Sequence, residues 1–184
     1  MLAYVFWHWP QLQTDIREYE ARQRAFHAAL AAAPAHGFRW SFTVGISGPP
    51  WAAAGADAYE DWYAVDDFAA LGALNDAAVS GSRSAPHDAA AAAVAGGTAG
   101  VYGLRAGTAL RAPQFAHWFG KPAGMSYREL FAQLTPVIER AQAALWMRQM
   151  VLGPAREFCV HAASPLALPV PFDALDARLR LVFP

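Results

Sequence analysis

Two histidine-tryptophan pairs, His8-Trp9 and His117-Trp118, stand in apolar segments that echo each other, Tyr4 to Pro10 (YVFWHWP) and Phe115 to Pro122 (FAHWFGKP). Imidazole titrates near neutral pH, so two of them in one space can act as general base and hydrogen-bond donor, and a single one can ligate a haem iron. The bland alternative is a hydrogen-bonded pair wedged between a sheet and a helix, and both readings stay open at this level. Two histidines with no third ligand make a poor metal site, so no metal is expected.

Phe6 and Phe115 precede the two histidines by two residues, so in a strand each shares a face with its histidine and can contact the same ligand. His87-Asp88 opens a short helix that only the first half contains, and inserted segments often carry function. Asn75 and Ser80 lie on the approach to it. Arg148 sits in the apolar run ALWMRQMVL, where a charge needs a partner; an anionic ligand or Glu157 can supply one. Lys121 closes its strand and faces either a ligand or solvent. His27, His36 and His161 read as helix-end, turn and strand-end residues. Cys159 reads as a small buried hydrophobe.

Absent motifs narrow the chemistry. There is no GxGxxG after a strand, no GxxxxGK[ST], no HExxH, no GxSxG and no CxxC, which removes most support for nucleotide hydrolysis, zinc peptidase and serine hydrolase readings. A net charge of -1 with 16% charged residues offers no basic field for nucleic acid. The apolar start lacks a basic leader and no run reaches membrane-span length, so a cytoplasmic protein is expected. At 184 residues and 55% hydrophobic, the chain has ample material for a core.

The elements that must position these residues follow from periodicity and punctuation. A strand at Tyr4 to Pro10 leads to a helix capped by Thr14 or Asp15 and burying Ile16, Tyr19, Phe26 and Leu30, with Glu18-Arg22 and Glu20-Arg24 on a solvated face. Strands follow at Phe38 to Ser47 and Tyr59 to Val65. A helix capped by Asp66 or Asp67 then buries Phe68, Leu71 and Leu74. After a loop over 80–85, Pro86 starts a short helix ending at Gly96-Gly97, and Val101 to Leu104 is a strand. The second half reads as a strand at Phe115 to Phe119 and a capping-box helix from Ser126 that buries Tyr127 and Phe131 with Leu130 and Leu134, kinked or restarted at Pro136. Strands at Ala144 to Leu152 and Glu157 to Ala162, a brief helix from Phe172 and a strand at Leu179 to Phe183 complete it.

This order is β-α-β-β-α-β twice, with one extra helix in the first copy, dividing the chain at 1–105 and 106–184. Matched residues support a duplication: His8 with His117 at 109 residues, Tyr19 with Tyr127 at 108, Gly48-Pro49 with Gly153-Pro154 at 105, and Phe68 with Phe172 at 104. Trp62 matches Phe158 at 96, which places one insertion near 51–58 and another near 164–171. Two ferredoxin-like units whose strands are apolar on both faces resemble the dimeric α+β barrel superfamily, here with both halves in one chain. The resemblance implies an α+β fold of antiparallel sheets enclosing a pseudo-twofold barrel, completed without a second chain. It also implies a small-molecule ligand. Members include cofactor-independent monooxygenases, haem-degrading enzymes, chlorite dismutase-like haem proteins and decarboxylases.

Three functional readings follow. The first is a cofactor-free monooxygenase acting on a small aromatic or polyketide-like compound, with His8 and His117 moving protons and Phe6, Phe115, Arg148, Asn75 and His87 holding the substrate. The second is a non-catalytic binding or structural protein, and the third a haem protein. On packing grounds both histidines are expected in the space between the sheets, with Trp9 and Trp118 under the helices.

Overall fold

The computed structural model describes residues 1–52, 57–150, 153–169 and 173–184. In chain order they form β1 (Leu2–Pro10), α1 (Ile16–Ala32), β2 (Phe38–Ile46), β3 (Ala58–Val65), α2 (Phe68–Ala78), a short 3-10 turn (Gly81–Arg83), α3 (Ser84–Ala91) and β4 (Val94–Gly107). The second half contributes β5 (Phe115–Phe119), α4 (Tyr127–Arg140), β6 (Ala144–Arg148), β7 (Phe158–Ala162), β8 (Leu175–Arg178) and β9 (Arg180–Phe183).

The described strands make one antiparallel sheet in the order β8-β5-β7-β6-β4-β1-β3-β2-β9. It contains two blocks of the same internal order, β4-β1-β3-β2 and β8-β5-β7-β6, each the ferredoxin-like arrangement. The blocks are joined by their last strands. β4 pairs with β1 along most of its length and with β6 from Tyr102 to Gly107. β8 pairs with β5, and the chain continues through Leu179 into β9, which pairs with β2. Each half thus lends its final strand to the other, and the sheet closes on itself as a single-chain α+β barrel in which both seams are hydrogen-bonded.

Alternation sends Ala3, Val5 and Trp7 of β1 into the barrel and Tyr4, Phe6 and His8 out towards the helices. The interior is built of rings: Trp7, Trp62, Trp118, Trp146, Tyr102 and Phe42 are all fully buried. They pack largely edge to face, as Trp7 does on Trp118 (5.4 Å between centroids, 66°) and on Tyr102 (6.1 Å, 78°). Outside the barrel, α4 covers Phe119, Leu145, Phe158 and Val160, while α1, α2 and α3 cover Tyr63 and Val65.

This placement corrects the expected facing of the histidines and tryptophans. His8 and His117 lie outside the barrel, and Trp118 lies inside it. Imidazoles on the helix side do find partners, Tyr19 from α1 for His8 and Asp176 from β8 for His117. The enclosed interior holds the most populous apolar cluster, and it takes Trp7, Trp62, Trp118 and Trp146. Trp9 joins neither layer's cluster; at the bulge ending β1 it lies against Gly96.

Other differences are local. Gly96 and Gly97 belong to β4 and do not end a helix: a side chain at Gly97 would come within 2.5 Å of the Phe6 ring, and one at Gly96 within 2.7 Å of Trp9. α4 runs unbroken through Pro136. Asp173 and Ala174 are not helical and Leu175 starts a strand; Val151, Leu152 and Phe172 lie outside the described residues. Ile16, Phe68 and Tyr127 are exposed rather than buried. Glu20, expected on the solvated face, is buried, accepting from Arg24 (2.9 Å), Arg180 (2.5 Å) and Tyr59 (3.1 Å) and so tying β9 to α1. With His8 aligned on His117, the register makes Glu60 the counterpart of His161 and Asp61 that of Ala162, so Trp62 does not match Phe158: Trp62 faces the barrel interior and Phe158 the helix α4.

Glu60 is enclosed in the ring cluster, where the Trp7 indole N–H donates to it at 2.8 Å and that of Trp62 at 3.3 Å. Burial pushes its carboxyl up to about 7 against the pull of these indoles and of Trp118. A raised acid binds its proton more tightly folded than unfolded. Its contribution is therefore complete below about 4.5 and is lost as pH climbs through 7, an effect of about 3 kcal/mol. Glu60→Gln, which cannot ionise, should gain roughly this much stability relative to the native chain between pH 5 and pH 8 in denaturant titrations. The native tryptophan fluorescence should show a transition near pH 7 that the variant lacks. Parallel stability profiles for the two proteins would show that Glu60 is not held neutral.

Candidate functional site

A cavity of about 570 Å³ lies outside the barrel in the first half, floored by Tyr4, Phe6, Asp61, Tyr63 and Val101 and roofed by the three helices α1, α2 and α3. Its walls are mainly apolar, including Phe26, Leu30, Leu71 and Leu74. Gln23, Asn75 and His87 add polar groups from above, and no lysine or arginine is among the lining residues. Local sequence explains the roof. Asp15 accepts from the backbone N–H of Arg17 (2.7 Å) to start α1, and Asp67 accepts from Ala70 N–H (2.9 Å) to start α2.

The polar centre is Asp61, which alternation turns outward from β3 while its neighbour Glu60 turns in. Tyr63 donates to its Oδ2 at 2.9 Å and Thr43 to its Oδ1 at 2.7 Å. His8 Nε2 lies 3.1 Å from Oδ2, and His27 Nε2 lies 3.4 Å from Oδ1. Because the Thr43 hydroxyl proton goes to Asp61, the 2.7 Å contact between His27 Nε2 and Thr43 Oγ1 has the imidazole donating; His27 Nδ1 meets Ser41 Oγ at 2.7 Å. His8 Nδ1 hydrogen-bonds Tyr19 Oη. Every member is buried.

Burial alone would push the Asp61 carboxyl up, but the charges of His8 and His27 and their hydrogen bonds outweigh it and hold the group well below the usual carboxylate range. Tyr63 is pushed well above its ordinary value by burial and by the Asp61 charge, so it stays a phenol and a donor. A carboxylate held this low is a weak base, so at the cavity floor it can take a proton only transiently and returns it readily.

The residues singled out in the sequence do not converge on one place. Phe6, Asn75 and His87 line this cavity, and His8 stands behind its floor, stacked on Phe6 at 5.1 Å between ring centroids. His87 contacts Phe26 edge-on and pairs with Asp88 at 3.0 Å. Phe115 and His117 line a separate groove in the second half. Arg148 is in neither: its guanidinium donates to the carbonyls of Gly153 (3.0 Å) and Ala155 (2.7 Å), so backbone oxygens satisfy it, while Glu157 is taken by Tyr127. Lys121 likewise donates to the Met125 carbonyl at 2.5 Å. Ser80 donates to the carbonyl of Ala77.

Asp61, Tyr63 and His27 were not among the sequence candidates. A usable signal was present for the first: two adjacent acids in the middle of the apolar strand YEDWYAV raise the same question as Arg148.

Haem fits neither place well. Both nitrogens of His8 and His27 are engaged, His161 is sealed in the barrel interior, and the first cavity has a carboxylate on its floor and no cation for propionates. His117 Nε2 is free of partners among the described residues but has no accessible surface. Among the described residues no group of three or more His, Cys, Asp or Glu is placed to hold a metal ion, and no helix is long and apolar enough to cross a membrane.

No protein-family model and no curated protein sequence matches the chain. Solved structures do resemble it. A putative monooxygenase from Lactobacillus acidophilus NCFM superposes with a TM-score of 0.59 at 10% identity, covering 98% of this chain and 94% of the other. An anthrone oxidase-like protein superposes at 0.51 and 9% identity, covering 98% and 90%. The shared feature is the fold, the α+β barrel that in its dimeric form takes one half from each of two chains.

Asp61→Asn removes the buried carboxylate that accepts from Tyr63 and Thr43 and faces both His8 and His27. Asp61→Asn should therefore cost about 3–5 kcal/mol at pH 7 in urea unfolding. The native contribution of a depressed carboxylate is present above its unfolded value of 3.8 and lost as pH falls below it, so the difference should shrink in acid. A variant as stable as the native chain at pH 7 would place Asp61 outside this network.

Proposed function

We propose that the chain is a small-molecule enzyme whose reaction takes place in the helix-side cavity of the first half, and that it oxygenates a flat, uncharged, phenolic aromatic compound without a cofactor. The observation that carries this reading is the buried Asp61, flanked by His8, His27 and Tyr63, on the floor of an otherwise apolar cavity. The absence of lysine or arginine from the lining favours a neutral ring system over an anionic one.

In such a reaction the network takes a proton from an acidic ring CH2 or phenol, leaving an electron-rich anion in a site that excludes water. That anion passes an electron to dioxygen, and the two radicals combine to a peroxide. Loss of water from the peroxide converts the CH2 to a carbonyl, so that substrate plus O2 gives ketone plus H2O. As Asp61 takes the proton, Tyr63 turns its single hydroxyl proton from Asp61 Oδ2 to the developing oxyanion, and Phe6, Phe26 and Leu74 hold the ring. The two similar structures, a putative monooxygenase and an anthrone oxidase-like protein, support oxygenation as the first chemistry to test. The competing reading, a binding protein, draws on the same network: both Asp61 oxygens already have protein partners.

Anthrone incubated with the purified protein in air should be converted to anthraquinone with matching O2 uptake, and no added flavin, metal or haem should be needed. Tyr63→Phe should lower kcat by roughly 10²-fold, the lower end of the range for a lost proton-transfer partner. His117→Gln should leave the rate unchanged, because that residue is in the other half. Saturable anthrone binding with no O2 uptake would favour the binding protein.

A further inference from the structure

The strand register identifies which positions of the two halves correspond, and they have diverged in one specific way. Phe6 and His8 of β1 correspond to Phe115 and His117 of β5. Across the ladder to one side, Phe6 faces Asp61, whereas Phe115 faces Ala162. Across the ladder to the other side, Phe6 faces Ala99 and His8 faces Gly97, whereas Phe115 faces Arg178 and His117 faces Asp176. The carboxylate that accompanies the histidine has moved from the third strand of the unit to the fourth, and a cation has arrived with it.

These residues line a groove of about 520 Å³ together with Leu166. His117 Nδ1 lies 2.6 Å from Asp176 Oδ1, so the Asp176 charge is engaged by the imidazole. Arg178 is exposed and, among the described residues, has no ion pair or hydrogen bond. Arg178 therefore presents a guanidinium without an ion pair among the described residues, opposite Phe115 in the ladder. The first cavity, by contrast, has no cation in its lining.

We propose that the groove of the second half is a separate binding site for a small aromatic carboxylate, with the guanidinium of Arg178 taking the carboxylate and Phe115 and Leu166 taking the ring. A planar, delocalised guanidinium binds carboxylate through two parallel hydrogen bonds, and an apolar wall next to it fixes the rest of the ligand. His117 and Asp176 hold each other in place beside the ligand through their 2.6 Å contact. The site is independent of the oxygenation reading and stands or falls separately from it.

Benzoate is the probe, titrated into the full chain and followed by amide NMR, with benzyl alcohol as its uncharged counterpart. Saturable shifts confined to residues 115–117 and 176–178 are expected. Arg178→Gln should weaken benzoate at least tenfold, Arg178→Lys should weaken it less, and benzyl alcohol should bind at least tenfold more weakly to the native chain. Arg178 is exposed, so folding of both variants is expected and is checked by their unchanged unfolding midpoints; Phe115→Ala gives a second, independent loss of affinity. The proposal is overturned if benzoate shifts nothing up to millimolar concentrations, if the shifts fall on Phe26 and Leu74 of the first cavity, or if Arg178→Gln binds as the native chain does. None of these measurements depends on anthrone turnover.

Discussion

Closure of one antiparallel sheet within one chain is the constraint on which the rest of this structure depends. A four-stranded ferredoxin-like unit leaves the hydrogen-bonding groups of its outer strands open, and such edges must be paired or covered. Here β4 is long enough to serve both halves, and the β8-β9 segment does the same at the other seam. The buried Glu20, held by Arg24 and Arg180, ties the last strand to the first helix, where the ring would otherwise open. Once the ring is closed, its inner surface is shut off from solvent and from the helices. That is why it can be filled with indoles, and why every polar group needing a helix-borne partner has to be on the outside.

β3 shows how much follows from this division. Glu60 and Asp61 are adjacent, yet alternation commits one to each side of the sheet. Inside, Glu60 meets only indole N–H groups and carries a proton up to about pH 7. Outside, Asp61 meets His8, His27, Thr43 and Tyr63 and remains ionised. Two carboxyls one peptide apart are thus given opposite protonation states by the two layers of the fold. His161, in the register position of Glu60 in the second half, completes the contrast: burial among Phe42 and Trp62 lowers it to about 3 and keeps it neutral.

The same layering accounts for where function can be placed. The barrel interior is filled by rings, and the cavity of the first half lies where three helices stand off the sheet. Neither α2 nor α3 has a counterpart among the described residues of the second half, and α3 brings His87 and Ala90 to the cavity wall. In the second half α4 packs directly on Phe119, Phe158 and Val160, and the space that remains is displaced towards β8. The two halves have the same strand order but chemically unlike residues on it.

The α+β barrel and most of its strands and long helices were legible in the sequence, because strand alternation, capping residues such as Ser126 and Asp67, and the echoing YVFWHWP and FAHWFGKP segments are local signals; the helix expected from Phe172 was not, since Asp173 and Ala174 are not helical and Leu175 starts a strand. So was the anomaly of a histidine in an apolar strand. What only the tertiary structure decided is which face of each strand looks inward and what each polar side chain meets there. His8 and His117 each have a Phe two residues before and a Trp one residue after, yet one is held by Tyr19 and Asp61 and the other by Asp176. Those partners come from residues 11, 53 and 59 positions away. Periodicity gives the facing of a side chain relative to its neighbours in the strand. It does not say which side the helices will cover, and that choice settles which of these residues can share a site.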